Sequence, residues 1–584
     1  MRRGPWALLA VLSFVLTACG GLQSSGPVRP GLEVGGAGRD QVKVLPPAPQ
    51  EDATQTQIIR GFLKAGAATG GDVSVARSFL TDPAGKAWVP DSGTVVLKSD
   101  DEVKLKRLSD RRWQLIAEAE ATIDGSGRYQ SVEPHTIVRS DVELELVDEQ
   151  WRISGLEEGF GRWLTPGAVS RLLRPFDVHY VSTTSNTLIP DTRWLPLDRQ
   201  ATRLARAQLS AVPVHLRGAA TTQTDLALVV DAVPVVDGVA TVDLRAAGVP
   251  SKPAERRTLY AQLVSTLLQA SDVEAVQVTV EGASLEAEGI AVPARSVESL
   301  GYFQDSEDAG GDLLLRVRNH VIPVTRNEIL EGDVTGDEET PFPDIPQEWQ
   351  DLAQSWDGTE VAGVTQGRDV LARWHTDARV HELPSFATNL GAPSFDRHGI
   401  LWVPGQGEGG DQLWAINAAA DLDDDVRSAP VPVKVPWLGR RIVSAARVSP
   451  DGQRIALVTT TASGKAARVE ITGVVRQPNG LPSILAPESL RVAAELTTVR
   501  DVAWTSETAL AIVGKADADR AIGIHLVAGG GQPSLLSQRP GALRISTIDG
   551  TRGLVVRSAA GLLLRAGGTW LTAPVGRTLL VPGG

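Results

Sequence analysis

One cysteine, Cys19, occurs in 584 residues. The chain therefore has no intramolecular disulfide, no CxxC redox pair and no cysteine zinc cluster. Apolar runs are short. The stretch from Trp6 to Leu16, interrupted by Ser13, falls below the about 20 residues a helix needs to cross a bilayer. Basic charge is in deficit, with 57 Lys and Arg against 70 Asp and Glu and a formal charge of −13 at pH 7. That balance argues against a nucleic-acid partner and against a polybasic membrane face. Only 8 histidines occur, and the nearest two, His375 and His381, lack the i, i+4 spacing of a helical metal pair. There is no HExxH, no GxSxG nucleophile elbow and no Walker lysine pattern. No catalytic residue, metal ligand or cofactor is assigned.

The first eighteen residues carry the clearest positive signal. Arg2 and Arg3 form a short cationic region ahead of the apolar run, as in a secretory signal peptide. Gly4-Pro5-Trp6 does not resemble a twin-arginine signal, which favours the general secretory route. Leu16-Thr17-Ala18-Cys19 resembles a lipobox, the processing site of bacterial lipoproteins. The resemblance implies cleavage before Cys19, an S-diacylglycerol on its thiol and an N-acyl group (palmitate) on its new amine. A thiolate is the nucleophile such chemistry needs, and two or more chains anchor stably where one does not. Residues 1–18 are thus expected to be a signal peptide. Residues 19–53, with Pro46-Pro47-Ala48-Pro49 near their end, are expected to be a lipidated N-terminus and flexible tether.

At this length several domains are expected, mainly β with α+β parts. Residues 54–160 open with Ile58, Ile59, Phe62 and Leu63 at helical spacing, and a second short helix is expected over 73–80. Strand-like runs follow at 94–97, 113–122, 136–138, 142–147 and 151–153. Helices before a curved antiparallel sheet give an α+β domain, loosely similar to cone-shaped SnoaL-like folds.

Residues 175–290 read as an α/β domain. A strand at 178–181 leads through "LIPDTRWLP" to a helix with Ala201, Leu204, Ala205 and Leu209 on one face. Asp237-Gly238 joins two short strands as a hairpin. Ser251 is expected to cap a helix with Pro253 in its first turn and Tyr260, Leu263, Val264, Leu267 and Leu268 buried. A strand at 273–280 closes the unit. "VPVVDGVATVDL", "AERRTLYAQLVSTLLQ" and "VEAVQVTVEG" in this order resemble the GerMN domain, which is thought to mediate protein contacts.

Residues 300–584 carry an imperfect repeat of propeller-blade length. Ser355-Trp356-Asp357-Gly358, Ser394-Phe395-Asp396, Ser449-Pro450-Asp451-Gly452, Ala503-Trp504-Thr505-Ser506 and Ile548-Asp549-Gly550 each precede a β-rich run. A polar turn between strands at that period suits a β-propeller of five to seven blades. Leu313–Val317 and Val321–Val324 around Arg318-Asn319-His320 form a further hairpin. Residues 333–344 are read as a long acidic loop.

Several stretches imitate functional motifs. Residues 421–425, Asp-Leu-Asp-Asp-Asp, lack the spaced ligands of an EF-hand, as do residues 333–337. Residues 405–410 are glycine-rich, but no helix follows to hold a phosphate. Asp141, Glu143 and Glu145 alternate with Val142, Leu144 and Leu146, the pattern of a solvated strand face. Glu157 and Glu158 form another carboxylate pair. Trp402 and Trp414 are either partner anchors or core.

Lipobox, α+β domain, GerMN-like domain and propeller, in this order, resemble the actinobacterial LpqB lipoprotein family. The Arg, Ala, Gly and Val content suits a GC-rich actinobacterium. The resemblance implies a non-enzymatic lipoprotein on the extracytoplasmic face of the cell membrane. It implies an accessory role in an envelope two-component system, with the extracytoplasmic part of an MtrB-like sensor histidine kinase as partner and effects on cell envelope and division. Only Cys19 carries over as a functional residue. An exported propeller hydrolase and a sensor of an envelope ligand remain open readings.

Overall fold

The computed structural model describes residues 46–583 apart from 69–72, 100–102, 288, 304–310, 333, 335–339, 517–520 and 577. The mainly-β fold class expected from the sequence is what it shows. Among the described residues no helix is long and apolar enough to cross a membrane.

The first domain begins with the helix Gln55–Gly66. Thr54 and Gln57 form a reciprocal capping box, satisfying two N-terminal donors. The apolar side of that helix, with Ile58, Ile59 and Phe62, is buried against a six-stranded sheet. Its strand order is Gln150–Leu156, Tyr129–Val147, Arg112–Asp124, Gly93–Leu97 and Arg162–Leu164, with Lys104–Arg107 paired to Arg112–Asp124. The two runs expected at 136–138 and 142–147 are one 19-residue strand. Val142 and Leu144 are buried as the alternation requires, but Leu146 is exposed, because it lies where the strand runs out to the Asp148-Glu149 turn.

The second domain is built on a parallel strand–helix–strand unit. Val239–Leu244 and Ala275–Val280 pair in parallel, and the helix Pro253–Leu267 makes the crossover between them. The cap differs from the expected one: Lys252 occupies the N-cap, with no side-chain bond, and Pro253 follows it inside the helix. From Leu259 to Leu267 every residue of this helix is buried, polar ones included. The reason is a polar network in the core, centred on His179 of the strand Leu173–Ser182. His179 N donates to Gln208 Oε1 at 2.8 Å, and its carbonyl accepts from Gln208 Nε2 at 2.8 Å and Gln262 Nε2 at 2.9 Å. Thr266 Oγ1 donates to Gln208 Oε1 at 2.6 Å. The core of this domain continues through Ala294, Val297, Leu300 and Tyr302.

Burial lowers the His179 imidazole to about 3. It is neutral in the folded chain and takes up a proton on unfolding below its ordinary value of about 6.5. Its contribution to stability is complete above pH 6.5 and is lost as pH falls from there toward 3. Denaturation across that window should show this histidine costing about 1.4 kcal/mol per pH unit. His179→Gln should flatten the slope by one proton; an unchanged slope would contradict the assignment.

The third domain is a six-bladed propeller. Five blades are antiparallel meanders starting at Trp349, Ser394, Ile442, Thr498 and Ala542; four have four strands, and the one starting at Ile442 has a fifth, Leu490–Val492, paired to Arg468–Arg476. The sixth is composite: the C-terminal strand Thr578–Leu580 pairs with Leu313–Val317, which pairs with His320–Val324. This closes the ring by joining its two ends. All five repeated turns lie between the first and second strands of the meander blades. Two of these turns share their chemistry. Ser449 Oγ donates to Asp451 Oδ1 at 2.6 Å and Asp451 Oδ1 accepts from Gln453 N at 2.7 Å, while Ser355 and Asp357 repeat the first bond at 2.6 Å.

Candidate functional site

Two polar constellations stand out: one on the propeller axis and one where the three domains meet. In four of the six axial strands the register to the second strand shifts, between Gln350 and Ala353, Val443 and Ala445, Val499 and Asp501, and Ala542 and Arg544. Such bulges re-aim side chains. Here they accompany charged groups placed in a buried interior. Asp351 adopts φ 47°, a left-handed conformation that Asp tolerates better than most residues. Its carboxylate accepts from Arg368 Nη2 at 2.7 Å, Arg544 Nη2 at 2.8 Å and Arg557 Nη2 at 2.6 Å. Asp501 is paired with Arg447 at 3.1 Å and accepts from Ile545 N at 3.1 Å.

Asp351, Asp501, Arg447, Arg544 and Arg557 line a cavity of about 60 Å³. A second cavity of about 140 Å³ shares Arg447 with it and is walled by Trp356, Trp504 and Pro582. Burial by itself raises the Asp351 carboxyl. The hydrogen bonds and charges of Arg544, Arg557 and Arg368 outweigh that and hold it well below the usual carboxylate range.

The second constellation falls on the "LIPDTRWLP" strand, Leu188–Pro196. Asp191 is buried. Its Oδ2 lies 2.6 Å from Arg193 Nη2, which is fully buried, and 3.6 Å from Arg128 Nη2 of the first domain; its Oδ1 lies 3.3 Å from His215 Nε2. Burial raises the Asp191 carboxyl, but Arg193, His215 and Arg128 together hold it well below its ordinary value. The flanking residues reach both other domains. Pro190 O accepts from Arg454 Nη1 of the propeller at 3.1 Å. Trp194 N donates to Gly127 O at 2.6 Å, and its ring nitrogen donates to Gly529 O at 3.2 Å. Both glycines are required by close approach. A Cβ on Gly127, at φ 83°, would sit 2.8 Å from Leu195 Cδ2, and one on Gly529 would sit 2.6 Å from Thr192 Cγ2. Glu133 pairs with Arg468 at 2.6 Å and with Arg491, fixing the first domain to the propeller directly.

Cys19 lies outside the described residues, as do 333 and 335–339 of the acidic loop. Several of the other singled-out residues have structural partners. His375 Nδ1 lies 2.9 Å from Asp377, and His381 stands opposite Arg373 on the neighbouring strand. Arg379 bridges Asp421 at 2.7 Å and Asp423 at 3.1 Å, so the acidic run is closed by a cation of the chain itself. The 405–410 glycine segment is a hairpin turn, with Gly407 N donating to Asp411 O at 2.9 Å. Glu157 accepts from Ser140 Oγ at 2.9 Å and Asp141 N at 3.0 Å, which ties two strands together. Trp402 and Trp414 are core, not partner anchors: their ring nitrogens donate to Asp396 Oδ2 at 2.9 Å and Gly405 O at 3.1 Å. Among the described residues no group of three or more His, Cys, Asp or Glu is placed to hold a metal ion.

Comparison with known proteins follows the same three divisions. Residues 48–167 match the family model for the N-terminal domain of lipoprotein LpqB, and residues 331–582 match the LpqB β-propeller domain. Residues 177–286 match a model described as sporulation and spore germination. Lipoprotein LpqB of Thermobifida fusca is 24% identical over 87% of this chain and 86% of its own length. That of Nocardia farcinica is 26% identical over 88% of this chain and 85% of its own length. Among solved structures, TolB from Acinetobacter baumannii aligns with 54% of this chain and 83% of its own at 15% identity, with a TM-score of 0.33. The chain belongs to the LpqB lipoprotein family.

Proposed function

We propose that the chain is an acylated accessory lipoprotein, without a catalytic step of its own, that acts on an envelope two-component system. In this reading Cys19 carries the S-diacylglycerol and N-acyl groups and holds the protein on the outer face of the cytoplasmic membrane. Residues 19–53 act as its tether. The partner is the extracytoplasmic domain of an MtrB-like sensor histidine kinase.

The observation that carries the reading is the junction at residues 190–194, where one strand bonds to the first domain and the propeller together. Three modules held at one junction present a fixed composite surface, which suits a protein that works by contact. Anchoring such a body beside a membrane partner raises its effective concentration without any new contact.

Cross-linking in membranes tests this. Wild type is expected to capture the kinase, and Cys19→Ser, which keeps the folded body but loses the acyl groups, is expected to capture it at least tenfold less. Equal recovery from both would rule out tethering as the mechanism.

A further inference from the structure

Between the first and second domains lies a cleft of about 680 Å³, away from the propeller axis and beside the second constellation, with which it shares Leu195 of the same strand. Five arginines line it, Arg77, Arg162, Arg199, Arg203 and Arg206, against two aspartates, Asp91 and Asp198. Asp231 stands at the edge and pairs with Arg206. Positive charge still predominates, in a chain whose overall charge is −13. A local excess of that sign, against the global balance, needs a physical reason.

The floor of the cleft is built rather than incidental. Arg162 is buried, with Nη2 on Asp91 Oδ1 at 2.6 Å, yet its Nε has no hydrogen-bond partner. A buried guanidinium nitrogen left unbonded is costly. Burial disfavours its charge; Asp91 opposes that, but the charge of nearby Arg203 adds to it. Arg203 spans the two domains, donating to Asp91 Oδ2 at 2.8 Å and to Asp198 at 3.1 Å. On the rim, the Arg199 side chain is 66% exposed and that of Arg206 41% exposed. Arg199 is also the N-cap of the helix Gln200–Gln208, which has no side-chain cap, so its first backbone N–H groups add to the positive end.

We propose that this cleft binds a phosphate-bearing anion. Guanidinium forks match the planar, bidentate geometry of phosphate oxygens. The volume suits a phosphate ester with a polar substituent better than a bare ion. The same chemistry is offered by an anionic lipid headgroup and by a soluble phosphate ester. Because Arg203 joins the two domains through Asp91, while Asp198 holds it from its own domain, occupancy also stiffens their joint.

Hydrogen–deuterium exchange on the full chain tests the site in two arms. In one, glycerol 3-phosphate is added to protein in phosphatidylcholine nanodiscs. In the other, phosphatidylglycerol is included in the disc and nothing is added. The expected result is slowed exchange over 125–127 and 198–206, up to about 100-fold at a ligand concentration one hundred times Kd. It should weaken with salt and be lost in the rim double variant R199Q/R206Q. Protection by phosphatidylglycerol alone identifies the headgroup as the source, and protection only by glycerol 3-phosphate identifies a soluble ester. The lipid arm rests on acylation at Cys19 and the soluble arm does not, so failure of the anchor and failure of the site are separable. No protection in either arm, or equal protection in the double variant, overturns the proposal.

Discussion

Asp351→Ala is expected to destabilise the propeller by about 3–5 kcal/mol, the range for breaking a buried charge pair from one side. The carboxylate is the common acceptor of Arg368, Arg544 and Arg557. Those guanidiniums come from two blades: Arg368 from the first, Arg544 and Arg557 from the fifth. The carboxylate therefore joins blades on either side of the composite sixth, where the ring closes. Without it, three like charges face one another in a partly buried interior, and Arg447 lines the same cavity as Arg544 and Arg557. Asp351→Asn keeps the shape and one acceptor oxygen and should cost less. Arg557→Ala should also cost less, because Asp351 keeps two partners. Urea denaturation followed by tryptophan fluorescence reads all three. A change within about 0.5 kcal/mol for Asp351→Ala, the usual limit for an uninvolved surface site, would remove the axial cluster from the account of stability.

The axial cluster also shows where sequence reading stops. The five repeated turns were legible because serine, aspartate and glycine at a turn have local reasons to be there. The sixth blade leaves no such mark: its first strand is the last of the chain and its second lies near residue 313, so no turn joins them. The repeat by itself therefore fits five to seven blades. Asp351 and Arg544 each sit as a single charge within a β run, and Asp501 follows Arg500 in one, so none is distinguishable by pattern from the solvent-facing member of an alternating strand. Only the bulges, which are long-range register shifts, place them inward. The tryptophans were ambiguous for a related reason. An indole is core or anchor according to whether its N–H has an internal acceptor, and Asp396 and Gly405 become acceptors only once the blade has folded. In the second domain the helix was legible by its apolar face, while the burial of Gln262 and Thr266 depends on His179 and Gln208, which come from other elements. That Asp191 of "LIPDTRWLP" meets an arginine from the first domain is invisible without the fold.

Asp191→Ala is the second substitution with a large expected effect, again about 3–5 kcal/mol, because Arg193 would be left fully buried and unneutralised. Arg128→Ala provides the contrast. Arg128 is partly exposed and its charge lies 3.6 Å from Asp191, so its loss should cost no more than about 1 kcal/mol. The distinctive consequence is in cooperativity. The strand that carries Asp191 also holds the propeller through Pro190 and Trp194, and the first domain through Trp194 and Gly127. If this strand couples the domains, wild type should unfold with the second domain and propeller in one calorimetric transition, and Asp191→Ala should split it. Hydrogen exchange in the variant should quicken first over 124–129 and 188–196, the two sides of the junction. If the variant keeps a single transition with a loss no greater than that of Arg128→Ala, the domains are held by other contacts, among them Ser182 Oγ with Gln453 Oε1 between second domain and propeller, and Glu133 with Arg468 and Arg491 between first domain and propeller. The composite surface proposed for partner binding would then rest on those contacts, of which the Glu133 pairs are partly exposed and weaken with salt.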